Sequence, residues 1–307
     1  MIKIDLITGF LGSGKTTFIK KYAEYLMNKG YRIGILENDF GAVNVDMLLL
    51  QQLRGDNCEL ETVAGSCDAD CHKRRFKTKL IAMGMSGYDR VIVEPSGIFD
   101  TDEFFDTLRE EPLDKWYEIG AVITIADAEL DMELSGQSEY IFASQLANAG
   151  KIIVSKAQLV SEAQLENMLS YMKATAEKYC GRILDKEIMV KAWDMLSEND
   201  FNEISCCGYV KADFVKRFSD ENSYSSLYYM HNDISTETLK EISEKIFIDP
   251  ECGNIFRIKG FVKENDVWYE FNSTANNTSV SQVKNGQDII IVIGEKLNKP
   301  MIDKYFL

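Results

Sequence analysis

Nine consecutive residues, Gly9-Phe-Leu-Gly12-Ser13-Gly14-Lys15-Thr16-Thr17, place glycines, a lysine and hydroxyls in the spacing G-x-x-x-x-G-K-[ST]. That pattern suits phosphate binding. Glycines let backbone N–H groups close on phosphate oxygens that a side chain would hold away. A helix starting at Lys15 aims its unpaired N–H groups and the positive end of its dipole at the same anion. Lys15 is then placed to reach the β- and γ-phosphates and the Thr16 hydroxyl to ligate Mg²⁺, while Gly9, Gly12, Ser13, Gly14 and Thr17 line the cradle. A second segment, Arg90-Val-Ile-Val-Glu94-Pro-Ser-Gly97, sets a carboxylate at the end of an apolar strand and a glycine three residues later. Glu94 can hold Mg²⁺ through water, and the Gly97 N–H can sense the γ-phosphate, so that losing this phosphate releases the loop that follows.

Ser155-Lys156-Ala157-Gln158 follows the apolar run Lys151–Val154, where guanine-specific proteins with such loops carry Asn-Lys-x-Asp. The carboxylate of that motif accepts two hydrogen bonds from the guanine edge. Gln158 can reproduce one of them and adds donors that face donors. Ser155 and Lys156 remain nucleotide-binding candidates, the Lys156 stem packing along base or ribose. The nucleotide is GTP or ATP.

Between the second and third apolar runs lies Ala64-Gly-Ser-Cys67-Asp-Ala-Asp-Cys71-His72, with two thiols four apart, two carboxylates between them and one of the chain's two histidines. Thiolate, carboxylate and imidazole together suit a divalent transition ion such as Zn²⁺. Two plainer readings are a pair of packed thiols and a helix cap with Asp70 at the N-cap. Glu37, ending the second strand, is expected at the same edge.

These residues need a scaffold that gathers strand ends. The first 155 residues alternate β-branched runs with helical segments, the mark of βαβ units around a mainly parallel sheet. The fold class is α/β: a P-loop NTPase domain followed by a smaller α+β domain. Strands are expected at Lys3–Thr8, Arg32–Glu37, Arg90–Glu94, Gly120–Ile125 and Lys151–Val154. Helices are expected at Lys15–Asn28, Lys73–Met83, Gln137–Asn148 and Ser161–Tyr179, the last opened by a Ser161/Gln164 capping box. In such sheets ligands bind at the carboxyl ends of the strands, so the loops after Thr8, Glu37, Glu94 and Val154 should converge. The first domain is drawn as 1–204 and the second as 205–307, with 181–224 the least legible stretch. In the second, one helix, Thr236–Ile246, accompanies strands Ser225–Met230, Ile255–Val262, Val267–Phe271, Thr278–Val283 and Asp288–Gly294. Lys284-Asn-Gly-Gln287 reads as a turn between the last two strands.

Composition narrows the partners. A net charge of −15 over 307 residues argues against nucleic acid. The basic run Lys73, Arg74, Arg75, Lys77 and Lys79 reads as a solvated helix face. No apolar run approaches the roughly 18 residues of a membrane helix, and no signal-peptide pattern opens the chain, so a cytoplasmic protein with no membrane partner is expected. Seven cysteines without regular spacing (58, 67, 71, 180, 206, 207, 252) read as reduced thiols. A homo-oligomer is neither required nor forbidden.

The chain resembles the CobW-like metallochaperone GTPases, relatives of the GTPases that insert nickel into urease and hydrogenase. The likeness is carried by Thr8-Gly-Phe-Leu-Gly-Ser-Gly-Lys-Thr-Thr17, Glu37-Asn-Asp-Phe-Gly41 with Asp46, Glu94-Pro-Ser-Gly97, Thr124-Ile-Ala-Asp127 and Gln145 through Lys156, and continues at Phe256–Phe261 and Ile291–Gly294. It implies a slow nucleotide-driven switch that binds Zn²⁺, Co²⁺ or a similar ion and delivers it to a client metalloprotein or a cobalamin pathway. Hydrolysis would use Lys15 with Mg²⁺ to neutralise developing charge and Asp39 or Glu94 to align metal or water. The family's Cys-x-Cys-Cys is replaced here by Cys67-Asp-Ala-Asp-Cys71. The implied transition-metal ligands are therefore Cys67, Cys71 and Glu37, supplemented by Asp68, Asp70 or His72. A histidine-rich stretch common in the family is missing, and only His231 stands in its place. The competing function is a nucleotide-regulated interaction protein without metal transfer.

Overall fold

The computed structural model describes residues 1–38, 49–63, 69–97, 101–211, 224–230, 234–275, 277–284 and 286–306. They fall into two compact units, Met1–Phe218 and Ser219–Leu307.

In the first unit the chain runs β1 (Ile2–Thr8), α1 (Lys15–Asn28), β2 (Ile33–Asn38), β3 (Cys58–Val63), α2 (Ala69–Gly84), β4 (Arg90–Pro95), α3 (Thr101–Leu108) and α4 (Leu113–Trp116). It continues through β5 (Tyr117–Asp127), α5 (Gly136–Ala147), β6 (Lys151–Ser155), α6 (Glu162–Cys180), β7 (Ile188–Val190) and α7 (Glu198–Ser205). The strands form one sheet in the order β3-β2-β4-β1-β5-β6-β7, every pairing parallel. Parallel strands covered on both faces read as continuous apolar runs, which is why the expected strands were visible in the sequence. β3 and β7 were not expected. Cys58-Glu-Leu-Glu-Thr-Val63 is an edge strand with alternating charge, and β7 has only three residues.

Alternation along the strands assigns the faces. Ile33, Ile35, Ile92, Ile123, Ile125 and Ile153 pack with Phe18, Tyr22 and Leu26 of α1 and with Phe201 and Ile204 of α7. On the other face Leu36, Val91 and Val93 meet Phe76, Leu80 and Met83 of α2, and Ala126 and Ile152 meet α5 and α6. The Ser161/Gln164 capping box forms as expected at the start of α6.

Asp5, mid-strand in β1, is fully buried. Arg90 of β4 clamps it through Nε and NH2, Tyr22 donates its hydroxyl at 3.0 Å, and the Ala121 N–H of β5 donates at 2.8 Å. Arg90 also donates to the Ser205 carbonyl at 2.6 Å. A buried carboxylate is tolerable with this many partners, and it ties β4, β1, β5, α1 and α7 together.

The first compact unit runs past α7 to Phe218 for a simple reason. Gly208 bridges Ala121 and Tyr209 bridges Ala149, so the chain beyond α7 still belongs to the first sheet's surroundings.

The second unit comprises β8 (Tyr224–Met230), α8 (Thr236–Ile248), β9 (Asn254–Glu264), β10 (Val267–Ser273), β11 (Thr278–Val283), β12 (Ile289–Glu295) and α9 (Lys299–Phe306). Its antiparallel sheet has the order β11-β10-β9-β12-β8. Leu239 and Ile246 of α8 and Ile302 and Phe306 of α9 pack on Ile258, Val262, Phe271, Ile290 and Val292. Two expectations need correction. A second helix, α9, follows the last strand. The turn expected at 284–287 does not join neighbouring strands either, because β11 lies at the sheet edge and β12 lies beyond β10 and β9. Gly286 there packs so closely on Trp268 that a Cβ would come within 2.6 Å of the indole.

Candidate functional site

The phosphate loop joins β1 to α1 with Gly9, Gly12 and Gly14 at φ of 149°, 80° and 91°, values that favour glycine. Gly9 is also sterically fixed, since a Cβ would lie 2.2 Å from the Ile125 carbonyl oxygen. Among the described residues no side chain caps α1 at Gly14, and first-turn N–H groups of that kind suit an anion. The buried hydroxyls of Thr8 and Ser13 have no hydrogen-bond partner among the described residues. Lys15 is buried and donates to the Gly9 carbonyl at 3.1 Å, its Nζ also lying 3.5 Å from the Phe10 carbonyl. The ammonium thus folds back over the cradle where phosphate oxygens would compete for it.

Two residues placed 78 apart by the sequence meet here. The Thr16 hydroxyl donates to Glu94 Oε1 at 3.1 Å. A hydroxyl and a carboxylate at that spacing beside an uncapped helix N-terminus fit Mg²⁺, whose remaining positions water and phosphate oxygens fill. Gly97 lies against the same loop, a Cβ there coming within 2.8 Å of the Leu11 backbone nitrogen, and its carbonyl accepts from Gln145 Nε2 at 3.0 Å. Gln145 was not assigned a role from sequence.

Glu37 is the lateral neighbour of Glu94, because β2 and β4 pair Glu37 with Glu94 in register. A Cβ on Gly34 would meet Met83 and Tyr88, so Gly34 faces α2 and alternation turns Glu37 to the α1 face, where Glu94 also points. Both carboxylates are buried, at 3% and 4% exposure. Cys71 lies in the first turn of α2, on the opposite face of the sheet at the same edge. His72 beside it is fully buried. Cys67, Asp68 and Asp39 lie outside the described residues, as does His231, and among the described residues no three of His, Cys, Asp and Glu are grouped for a metal. The helix begins at Ala69, so Asp70 is not its N-cap.

Ser155 and Lys156 end β6. Lys156 adopts φ 57° and its ammonium bridges Asp127 at 2.6 Å and Glu129 at 3.2 Å. Burial raises the Asp127 carboxyl above its usual range against the lowering pull of Lys156. Gln158 is exposed on a short 3₁₀ turn. Sequence reasoning passed over Trp193, in the turn after β7. A Cβ on Gly14 would be 3.6 Å from its ring.

The basic run on α2 is ion-paired, Lys77 with Glu110 and Lys79 with Glu61, both at 2.7 Å. A surface cavity of about 380 Å³ lined by Lys151, Glu203, Cys206 and Cys207 opens at the start of β6, away from the strand ends that carry the site.

Fold and site together define a P-loop nucleotide-binding protein. The family model described as the CobW/HypB/UreG nucleotide-binding domain matches residues 3–180, and the chain belongs to that family. It is similar to the zinc chaperone YjiA of Escherichia coli, 31% identical over 189 residues that make up 58% of this chain and 57% of that protein. It is also similar to zinc-regulated GTPase metalloprotein activator 1 of Schizosaccharomyces pombe, 25% identical over 171 residues, 53% of this chain and 41% of that protein. The chain spans about half the length of the curated relatives it matches. Among solved structures it is similar to zinc(II)-bound YjiA GTPase from E. coli, at 19% identity and a TM-score of 0.39 over 99% of this chain and 98% of that one. Among the described residues no helix is long and apolar enough to cross a membrane.

Proposed function

We infer that this protein is a nucleotide-hydrolysing metallochaperone, its nucleotide GTP by family and its cargo Zn²⁺ or a similar ion such as Co²⁺. The observation that carries the reading is the meeting of Thr16 with Glu94 at the phosphate loop, with Glu37 beside Glu94 on the same face. A nucleotide and a second cation would thus bind to adjacent strand ends, and an event at one is felt at the other through shared backbone. Bound Mg²⁺, held by Thr16 and Glu94, would neutralise charge on the transferring phosphoryl group.

Lys15 leaves the Gly9 and Phe10 carbonyls for the phosphate oxygens and stabilises negative charge as the bond to the γ-phosphate breaks. Asp39 or Glu94 aligns the attacking water. Gly97 reports the γ-phosphate, and Gln145 holds its carbonyl while it does so. Cargo is taken by Cys67 and Cys71, with Glu37 reaching the edge from the other face. A client metalloprotein receives the ion, and the family names of the relatives support this reading.

The test is metal stoichiometry and GTP and ATP affinity, each with and without Zn²⁺ or Co²⁺, in wild type and in Cys67→Ser/Cys71→Ser. Expected are one transition ion per wild-type chain, its loss in the double variant, and nucleotide affinity that changes with metal only in wild type. Unchanged tight metal binding by the double variant refutes the thiol site.

A further inference from the structure

Trp193 opens the turn after β7, and its indole lies over the last glycine of the phosphate loop: a Cβ on Gly14 would sit 3.6 Å, 3.7 Å and 4.0 Å from Cζ2, Nε1 and Cε2. The ring is tilted against Phe18, centroid to centroid 5.6 Å. It is only half-buried, yet its turn is braced. Asp194 pairs with Lys21 of α1 at 2.9 Å, and Lys191 pairs with Asp200 at 2.7 Å. Asp200 also closes a capping box with Ser197 at the start of α7. A half-buried aromatic held on a braced turn beside the phosphate loop is a preorganised platform.

Strand order decides which part of a nucleotide meets it. The γ-phosphate end belongs to Thr16, Glu94 and Gly97, on the β4 and β2 side of β1. The nucleoside end therefore runs the other way, over the first turn of α1 toward the ends of β5, β6 and β7, where Lys156 and Trp193 stand. The residue that would read a guanine edge is Gln158, exposed and chemically unable to accept from both guanine N–H groups. An indole recognises the π-face of a base, which guanine and adenine share.

We propose that Trp193 stacks on the nucleoside and that this contact sets base choice: the site takes purine nucleotides in preference to pyrimidine ones and separates guanine from adenine weakly. The proposal rests on the phosphate-loop reading but is separable from it, because inorganic tripolyphosphate fills the loop without offering a base.

Binding of GDP, ADP, CDP and tripolyphosphate, each with Mg²⁺, is measured by calorimetry and intrinsic fluorescence in wild type, Trp193→Ala and Trp193→Phe. Trp193→Ala is expected to weaken GDP and ADP by about tenfold or more while leaving tripolyphosphate unchanged. Trp193→Phe keeps a stacking ring, retains most of the purine affinity, and leaves Trp116 and Trp268 as the remaining indoles. GDP should alter wild-type fluorescence and leave that of Trp193→Phe unaltered. Undiminished GDP affinity in Trp193→Ala overturns the proposal. So does a wild-type preference for GDP over ADP above about a hundredfold, which would require edge reading. A parallel loss of GDP and tripolyphosphate in both variants overturns it too, by making Trp193 a support of the loop. Failure of wild type to bind any of these ligands removes the phosphate-loop reading, and the proposal with it.

Discussion

The two flanks of β1 place their buried carboxylates differently. Toward β4 and β2, the carboxylates of Glu94 and Glu37 stand side by side, both buried, and Thr16 donates to the first of them. Toward β5 and β6, the buried carboxylate of Asp127 is matched within the protein by Lys156, which also reaches Glu129. Adjacent buried carboxylates raise each other's cost of ionisation and favour a cation between them. On the second flank the Lys156 ammonium already sits between two carboxylates, and the proposed nucleoside contact falls to its stem and to the Trp193 ring. On the proposed reading, cation handling and base handling fall on opposite sides of a single strand.

The largest expected effect comes from cutting the tie beneath both flanks. Asp5→Ala leaves Arg90 buried with its charge unmatched and should cost about 3–5 kcal/mol of unfolding free energy, measured by urea titration. If both flanks lose ligand binding together in folded Asp5→Ala, they are less independent than their charges suggest. Next, Lys15→Ala should reduce hydrolysis by about 100-fold or more at saturating nucleotide, read as turnover, while the Lys156–Asp127–Glu129 cluster is untouched. A smaller loss would mean that another cation serves the γ-phosphate.

Gln145→Leu sharpens the comparison more gently, because Gln145 sits on α5 behind the nucleoside flank yet holds Gly97 on the other. Removing its 3.0 Å hydrogen bond should cost about 1 kcal/mol, seen as an about fivefold weaker preference for triphosphate over diphosphate. The smallest effect is one of pH. Hydrogen bonds from Lys191 and Ser197 hold the Asp200 carboxyl down at about 2. A depressed carboxyl contributes stability that is present above its unfolded value and lost as pH falls toward 2. With Lys191 about half exposed, screening limits this to about 1 kcal/mol or less. Acid titration of stability should show that limb in wild type and lack it in Asp200→Asn.

Much of the cation flank was legible because strong local rules apply there. The glycine spacing located the cradle, and an acid ending an apolar run located Glu94, so their meeting could be expected. The sheet faces were harder. Glu37 was expected at the edge of the cysteine loop, and the register and Gly34 show that it faces α1 while α2 packs behind. Trp193 left no signal, since proximity to Gly14 depends on where three-residue β7 brings the chain. Asp5 did leave one: a charge inside Ile2–Thr8 is costly to bury and points to a partner, though not to which arginine. The capping spacing Ser197-x-x-Asp200 could have found α7 within the stretch that seemed least legible. The turn read after Val283 shows the limit of turn residues, which fix local shape without naming the strand that pairs next.

The placement of β1 at the centre of an all-parallel sheet has a consequence for synthesis. Its partners are β4 and β5, both later in the chain, so β1 can settle only after residues far beyond it have been made. At ordinary elongation rates synthesis from Thr8 to the end of β4 takes on the order of ten seconds, so one side of Ile2–Thr8 waits for β4 and the other waits longer, for β5. Newborn chains should therefore be captured by cellular holdases early, and ribosome-bound intermediates ending before β5 should bind no nucleotide.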